Sequence, residues 1–369
     1  MDELVFGVQG AALPLIRGDL RLDYVAIGLL LSVPTLVADI IEMPVGLLAD
    51  GPRRRGLVLA GGVLFAAALG AFAGAPSFAL LLAAIVVLYP ASGAFVALSQ
   101  ADLMDAEPQR REQNMARWTL SGSLGALAGP ALLAAAVFVG VGWRGAYVAL
   151  AFAGALALVA RMVAAPSAHA PEEAHASAWQ AVRAALRSLR RRDVLRALLQ
   201  LEIADLMLDV LTGYLALYFV DTLGEPAWVG ALAVGVRIAA GLAGDFLSVH
   251  LLERVSGVAY VRVTALLTVA AYPAFLMVPG VAPKLALLAV VGVLSAGWYP
   301  VLQARVYHAL PGQSGAQLAI ANVVNMVASP IPLLIGLGAA RFGLGTALWL
   351  IAASPLLLAL LLPRRERER

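Results

Sequence analysis

The sequence of 369 residues contains no cysteine and only four histidines, which are His169, His175, His250 and His308. Without cysteine the chain can form no disulfide, no thiolate metal site and no thiol nucleophile. The histidines lack the spacing of metal ligands. No Ser/His/Asp arrangement of the kind that nucleophilic catalysis needs stands out. We therefore expect a protein that is not an enzyme and that requires no metal or other cofactor.

The sequence is also poor in charge. Only 13% of the residues are charged and 62% are hydrophobic, and the mean hydropathy is +0.88. Such a chain cannot cover a soluble globule of this size with polar groups. Beta-barrel alternation is absent, and many apolar runs exceed the roughly 20 residues that cross the hydrocarbon core as a helix. The composition therefore predicts an integral membrane protein made of transmembrane helices.

Twelve apolar segments are predicted to be helices. The first is apolar apart from Asp2, Glu3 and Gln9, but it falls short of a full span, so we expect the chain to start inside its first helix. No charged segment or cleavage site indicates a signal peptide. The predicted segments are 1–16, 24–48, 56–73, 78–98, 119–139, 145–163, 198–220, 228–250, 258–278, 285–308, 318–340 and 344–362.

Composition divides the chain into four parts. Prolines, glutamates and arginines dominate 165–196, where 179–189 has apolar residues at helical spacing. We interpret this stretch as a cytoplasmic linker with a basic amphipathic helix, and a regulatory role is the less favoured alternative. The predicted parts are an N-terminal six-helix bundle (1–164), this linker (165–196), a C-terminal six-helix bundle (197–363) and a cytoplasmic tail (364–369).

The basic residues predict the topology. Clusters lie at 53–55, 110–117, 161–196 and 364–369, all on one side if twelve spans alternate. Because short cytoplasmic loops are enriched in Lys and Arg, we expect both termini in the cytoplasm and the protein in a cell membrane, inner or plasma. The net charge of +3 comes from these cytoplasmic clusters. Because the membrane topology accounts for the excess of basic residues, we expect no nucleic-acid partner.

The two halves of the sequence repeat each other at an offset near 202. Gly28 aligns with Gly230, and the same offset aligns Glu3 with Asp205. Matches at offsets of 200 and 203 pair Pro130 with Pro330 and Pro108 with Pro311. A parallel repeat of two six-helix halves is one of the arrangements found in secondary transporters. Chance matching of glycines and prolines in so apolar a chain is the alternative.

The loop after the second predicted helix resembles that of the major facilitator superfamily, whose pattern is Gly-x-x-x-Asp-basic-x-Gly-basic-basic. Gly46, Asp50, Arg54 and Arg55 match it, whereas a glycine at 51 and an arginine at 53 depart from it. The resemblance implies a transporter of two six-helix bundles, with these residues at its cytoplasmic side.

A second resemblance lies in the fifth predicted helix. Gly125, Gly129 and Pro130 match the Gly-x-x-x-Gly-Pro core of a pattern that marks antiporters in the superfamily, although its flanking glycine pair is missing. It implies antiport. The alternative is ordinary close packing of helices through small residues.

Charged residues inside the predicted spans are the strongest functional candidates, since lipid penalises them. Glu202, Asp205 and Asp209 stand at i, i+3 and i+7 on one face of the seventh helix. Desolvation and neighbouring like charge both favour the protonated form of a carboxyl, so such acids are candidates for proton exchange near neutral pH. The alternative is that they form ion pairs which hold helices together.

Three other acids and one arginine belong to this set. Asp39 is predicted near the middle of the second helix, with Glu42 one turn nearer the cytoplasm, and Glu3 is placed at a comparable depth by the repeat. Arg237 in the eighth helix is interpreted as their counterion, with an anchor for an anionic substrate as the alternative. The favoured proton or substrate residues are Glu3, Asp39, Asp205, Asp209 and Arg237.

Further polar residues are candidates for the cavity and for a cytoplasmic gate. Asp102 and Arg305 correspond at an offset of 203 and are predicted to form a gate pair. Helix packing by satisfied polar groups is the alternative for the cavity candidates. These candidates are Gln9, Tyr89, Trp298, Tyr299, Asn322 and Asn325.

The sequence therefore predicts a secondary transporter that works by alternating access. We favour proton-coupled antiport or efflux of a small organic solute that is cationic or amphipathic, with protons as the coupling ion and a monomer in the lipid bilayer. No GxxxxGK[ST] loop supports ATP hydrolysis. The first alternative is a facilitator or importer of an anionic or neutral solute such as a sugar, organic anion or lipid. A non-transporting scaffold is less favoured, because it would not need so many buried acids.

Overall fold

The computed structural model describes residues 1–49, 54–106, 110–163, 191–309 and 324–363. Almost all of these residues are helical, and twelve helices follow one another in the described ranges. The first six are α1 (Asp2–Leu20), α2 (Tyr24–Ala49), α3 (Arg54–Gly74), α4 (Phe78–Ser92, continued by Gly93–Ala97 and Leu98–Ala106), α5 (Arg111–Phe138) and α6 (Gly142–Val163).

The second six helices begin after the predicted linker, whose residues 165–190 lie outside the described ranges. They are α7 (Arg192–Thr222), α8 (Ala227–Leu252), α9 (Gly257–Met277), α10 (Val281–Ser295 and Trp298–Ala309), α11 (Val324–Phe342) and α12 (Leu344–Leu361). The predicted order and number of helices are therefore observed.

Eleven of these helices are long and apolar enough to cross a membrane. The exception is α1, which has 19 residues but carries Asp2, Glu3, Arg17 and Asp19. It extends beyond its predicted end at Ile16 and ends at Leu20. The next residue, Arg21, terminates the helix, because its backbone is left-handed (φ 51°) and its N–H donates to the Arg17 carbonyl. The Arg17 guanidinium lies 4.6 Å from the centre of the Tyr24 ring.

Apolar side chains on the exposed faces of the helices form surfaces that suit lipid. On α6, Val148, Phe152, Leu156 and Val159 follow at helical spacing and are all more than half exposed. A continuous apolar stripe of this kind is avoided on soluble proteins. The stripe therefore fits a helix that packs with one face on the bundle and the other on acyl chains.

The chain forms two compact units. Unit 1 comprises Met1–Ala181 and Asn325–Leu333, and unit 2 comprises Val182–Val324 and Leu334–Arg369. Unit 1 thus includes α1 to α6 and most of the first half of α11. The sequence division placed that part of α11 with the C-terminal bundle.

Each unit has an aromatic core. In unit 1, Phe72 packs on Tyr147 with ring centres 4.2 Å apart and edge-on to Trp143. In unit 2, Phe275 contacts Tyr218, Phe219 and Tyr272. These side chains are at most 4% exposed, so aromatic packing in addition to aliphatic burial holds each bundle together.

Glycines bring α1 and α5 into backbone contact within unit 1. A Cβ on Gly129 would lie 2.6 Å from the carbonyl carbon of Gly7, and one on Gly125 would lie 3.3 Å from the Leu4 nitrogen. Only glycine permits such an approach at Gly129. The predicted packing residues of the fifth helix therefore set the distance between α1 and α5, and Pro130 follows them inside the helix.

Candidate functional site

Helices α4 and α7 each contain π-helical turns beside acidic residues. The turn in α4 covers Gly93–Ala97, and the first of two in α7 covers Leu206–Val210. A π-turn shifts the side chains that follow it and releases a backbone carbonyl from the regular pattern. In α10, which corresponds to α4 in the repeat, the regular helix is interrupted at Ala296 and Gly297. The π-turns of α4 and α7 thus lie beside acidic residues of unit 1 and unit 2, respectively.

In unit 1, Asp39 is buried and bonded to an amide. It is 6% exposed, and both of its carboxylate oxygens accept hydrogen bonds of 3.0 Å from Asn325 Nδ2. Eight residues further along α11, about two turns, the Leu333 N–H donates to Ser32 Oγ at 3.0 Å. Two residues that the sequence predicted separately, one acid and one cavity candidate, are therefore partners.

Glu42 lies one turn from Asp39 and occupies the space left by a glycine. Its carboxyl group is in contact with Gly93, where a Cβ would collide with it. Asp2 and Asp39 are both close enough to interact with it electrostatically. Asp2 accepts a hydrogen bond of 2.5 Å from Ser92 Oγ. We call Asp2, Asp39 and Glu42 the acidic group of unit 1.

Glu3 points elsewhere. Its side chain lies against Gly122 and Gly125 of α5 and is exposed, so the first turn of α1 directs Asp2, rather than Glu3, towards α4. Further along α1, the buried Gln9 donates a hydrogen bond of 3.3 Å to Tyr89 on α4. Both members of this second pair were predicted as cavity candidates.

In unit 2, the first π-turn of α7 begins directly after Asp205 and contains Asp209. Asp205 is half-buried and Asp209 is exposed. Their carboxyl groups are close enough to interact, and Glu202 adds a third charge near Asp205. We call these three residues the acidic group of unit 2. Like charges at this distance repel, so binding of a proton or a cation between them is favourable.

Arg237 is buried behind this group. It is 6% exposed, and its Nη2 donates to the Met207 carbonyl at 3.1 Å and to Ser295 Oγ at 3.0 Å. Its Nε has no hydrogen-bond partner among the described residues. Asp209 and Asp245 act on it through space, but none of the ion pairs within the described ranges includes it. Arg237 therefore joins α7, α8 and α10 mainly through neutral oxygens.

The remaining cavity candidates are found in different surroundings. Trp298 is fully buried and donates to Thr264 Oγ1 at 2.8 Å, whereas Tyr299 is 56% exposed. Asn322 lies outside the described residues. Trp298 is thus a packing group of unit 2, while Tyr299 presents its ring on the accessible surface.

The predicted loop motif surrounds Asp102 at one end of unit 1. Arg54 Nε lies 2.8 Å from Asp102 Oδ1, and Arg161 bonds to the other carboxylate oxygen. Arg55 donates to the Met162 carbonyl at 3.5 Å. Gly46 belongs to α2, Asp50 lies outside the described ranges, and Arg305 is a half-buried residue of α10 in unit 2.

Sequence reasoning missed Asp2 and Ser92. The signal was present, because Asp2 and Gln9 are seven residues apart on α1 and Tyr89 and Ser92 are three apart on α4. Both spacings place the two residues on one helix face. A pairing of those faces would have selected Asp2. Within the described ranges, no cluster of three or more His, Asp or Glu residues is arranged to hold a metal ion.

Comparison with known proteins identifies the family. The sequence profile of the Major Facilitator Superfamily matches residues 2–331, nearly the whole chain. The chain belongs to the major facilitator superfamily. A search of curated protein sequences finds no match. The predicted fold class is thereby confirmed, and this member of the superfamily is a membrane transporter rather than an enzyme.

Solved structures of superfamily transporters share the fold. A bacterial homolog of the human lysosomal transporter Spinster, in an inward-facing and unoccupied conformation, is similar with a TM-score of 0.77 and 15% identity, over 97% of this chain and 93% of that one. A point mutant of the nucleoside transporter NupG gives a TM-score of 0.78 and 11% identity, over 97% and 96%. At these identities the likeness concerns the fold alone.

Proposed function

We propose that this transporter exchanges protons for a small organic solute that is cationic or amphipathic, by alternating access and in the direction of efflux. The carboxyl pair of Asp205 and Asp209 supports this proposal most directly. It is the accessible part of the charged layer in unit 2, whereas Arg237 is buried and bonded to neutral oxygens. A solute that reaches this surface meets negative charge first.

In this proposal, solute and proton are coupled because they compete for the same carboxyl groups. A proton on either carboxyl or a cation between them relieves the same repulsion, so the two ligands compete for one group. A transporter that binds one or the other in each half-cycle carries out exchange. In unit 1, protonation of Asp39 would weaken its bonds to Asn325, because a carboxylate accepts stronger hydrogen bonds than a neutral carboxyl.

The test begins with a search for the solute. Thermal shifts of the purified protein across organic cations, sugars, lipids and organic anions select ligands, which are then used in proteoliposomes with an imposed pH gradient. We expect Asp205→Asn and Asp209→Asn each to lower gradient-driven transport by at least about tenfold, the effect of losing one strong charge interaction. Asp193→Asn, in an exposed pair with Arg191, is the control and should transport normally. Unchanged transport in both α7 variants would refute the proton role.

Arg237 supports a second candidate function. Its Nε–H has no hydrogen-bond acceptor among the described residues and could donate to an oxygen of an anionic or neutral solute, which would make the protein a facilitator or importer. Counterflow in liposomes without a pH gradient tests this alternative. It requires that Arg237→Gln abolish counterflow and that Asp209→Asn leave it intact, the reverse of the result expected for antiport.

We further propose a monomer with residues 1–164 and 197–363 as the two bundles, in a cell membrane, with both termini in the cytoplasm. The basic clusters support this orientation. Because the chain lacks cysteine, single cysteines can be introduced without background. A cysteine in the 364–369 tail should resist an impermeant maleimide in intact cells, and one in the 21–23 loop between α1 and α2 should react. The opposite pattern would reverse the orientation.

A further inference from the structure

A polar cavity lies at one end of unit 2, and none of the residues of the acidic group lines it. It has a volume of about 380 Å³ and lies where α7 and α9 end and where α10 and α12 begin. Lys284, Tyr218 and Thr222 supply polar groups to its wall, and Gly345 and Trp349 of α12 also line it. The space is large enough for a phosphate group together with part of a larger molecule.

Lys284 carries a buried positive charge into this cavity. The residue is 3% exposed, and its Nζ donates to Tyr218 OH at 2.8 Å and to the carbonyls of Phe275 and Leu276 at 2.8 and 2.9 Å. All three acceptors are neutral. They satisfy the hydrogen bonds of the ammonium group but leave its charge without a counterion, and no ion pair of the described residues includes it. Such an ammonium group favours a nearby anion.

In unit 1 a cation on a helix that is not the repeat equivalent of α10 makes similar contacts, and there its charge is balanced. There Arg144 bonds to the carbonyls of Ala73 and Ala75 at the end of α3, as Lys284 bonds to those at the end of α9. Arg144 also forms an ion pair of 3.0 Å with Asp19. Asp19 corresponds to Asp221 at the repeat offset of 202, but none of the ion pairs found among the described residues joins Asp221 to Lys284. Among the described residues, Lys284 therefore lacks an ion pair of the kind that Arg144 makes.

We propose that the Lys284 cavity binds an oxyanion group, a phosphate or a phosphate monoester, as the missing counterion. The ammonium group attracts the anion, and Tyr218 can donate to it. The Tyr218 hydroxyl accepts from Lys284 but donates only a long bond of 3.4 Å to the Leu276 carbonyl, so its proton can turn towards a better acceptor. This site is independent of the proposed exchange at Asp205 and Asp209.

The phosphate group could belong to a phospholipid or to a soluble molecule, and the rim of the cavity distinguishes these two sources. Met277 and Trp349 line it and are 73% and 43% exposed, and tryptophan is enriched at the level of lipid headgroups. A phospholipid could enter with its phosphate at Lys284 and its acyl chains along this apolar rim. A free phosphate group uses the same polar contacts without the rim.

The experiment measures binding to the purified full-length protein in detergent. The probes are inorganic phosphate, dioctanoyl phosphatidic acid and dioctanoylglycerol, which has the same chains but no phosphate. Saturable binding of phosphatidic acid with no binding of the glycerol supports the proposal. If inorganic phosphate competes with phosphatidic acid, the site accepts any phosphate group. If it does not compete, the site is specific for the lipid. Binding of phosphate alone assigns it to a soluble anion.

Two kinds of variant locate the binding. Lys284→Met removes the charge, but it also leaves two carbonyls without their donor and can impair folding. Thr222→Glu avoids this difficulty, because Thr222 is exposed on the cavity wall and the new carboxylate supplies the missing counterion. We expect it to weaken binding by about tenfold or more, since it replaces the charge-assisted contact. Thr222→Gln, equal in size and uncharged, should bind like the unmodified protein.

Two results would overturn the proposal. One is that neither phosphate probe binds to the unmodified protein. The other is that Thr222→Glu and Thr222→Gln bind phosphatidic acid or phosphate with equal affinity, because the anion would then lie outside the field of Lys284.

Discussion

Two arginines hold the carboxylate of Asp102, whereas an amide holds that of Asp39. The two acids are similarly buried, but only Asp102 has direct ion pairs, with Arg54 and Arg161. An acid with cationic partners remains charged and stabilises the fold, whereas an acid with a neutral donor can exchange its proton at lower cost. At the scale of single residues, the partner therefore separates a structural acid from a candidate for coupling.

Removal of the Asp102 carboxylate should destabilise unit 1. Asp102→Ala leaves two arginines near one another without their shared anion, and the expected loss is about 3 kcal/mol of unfolding free energy. Chemical unfolding in detergent measures it. The exposed pair of Asp193 and Arg191 gives the comparison, because Asp193→Ala should cost about 1 kcal/mol or less. Equal effects of the two variants would show that the Asp102 network contributes little.

At the scale of elements, glycine decides where helices touch and where they bend. Gly129 allows α5 to meet the backbone of α1, and Gly93 leaves room for Glu42 beside the π-turn of α4. Other helical glycines face open space, as Gly70 does on α3. The sequence shows all of these glycines alike, so only the neighbouring helix reveals which of them is required.

A methyl group should therefore have opposite effects at two helical glycines. Gly129→Ala places a Cβ 2.6 Å from a Gly7 backbone atom, so α1 must move, and we expect a loss of about 1–3 kcal/mol. Gly70→Ala meets nothing within 4 Å and should stabilise α3 by up to about 1 kcal/mol. Thermal unfolding of both variants checks the difference. A neutral result at Gly129 would mean that the contact is loose.

At the scale of the whole molecule, the chain crosses between its units more than once. Residues 325–333 group with unit 1, where Leu333 bonds to Ser32 and Asn325 bonds to Asp39. The predicted division at 164 and 197 stays a prediction, since the linker lies outside the described ranges. The return of α11 to α2 means that the first half of the sequence does not contain all the partners of its own buried groups.

A chain cut between Ala181 and Val182 should therefore reassemble. We expect the co-expressed halves to purify together, because α2 packs on residues 325–333. Gly28→Leu in the first half should reduce this association, since a Cβ there would lie 2.7 Å from the Leu333 backbone. Gly18→Leu, with nothing within 4 Å, should not. Halves that purify separately, or equal recovery with both variants, would contradict this account.

The sequence alone determined the class, the number of helices and the family. These depend on the hydropathy of long segments and on a local motif, and neither changes with the contacts that the helices make in the folded protein. It also selected Asp39, Asp205 and Asp209, since an acid in an apolar run is conspicuous without any partner. Only the tertiary structure decided that Asp2 rather than Glu3 faces α4, that Asn325 bonds to Asp39, and that Lys284 lacks a counterion. Each of these depends on the rotation of one helix against another, and a rotation of one residue, about 100°, turns a side chain from a neighbour to open space.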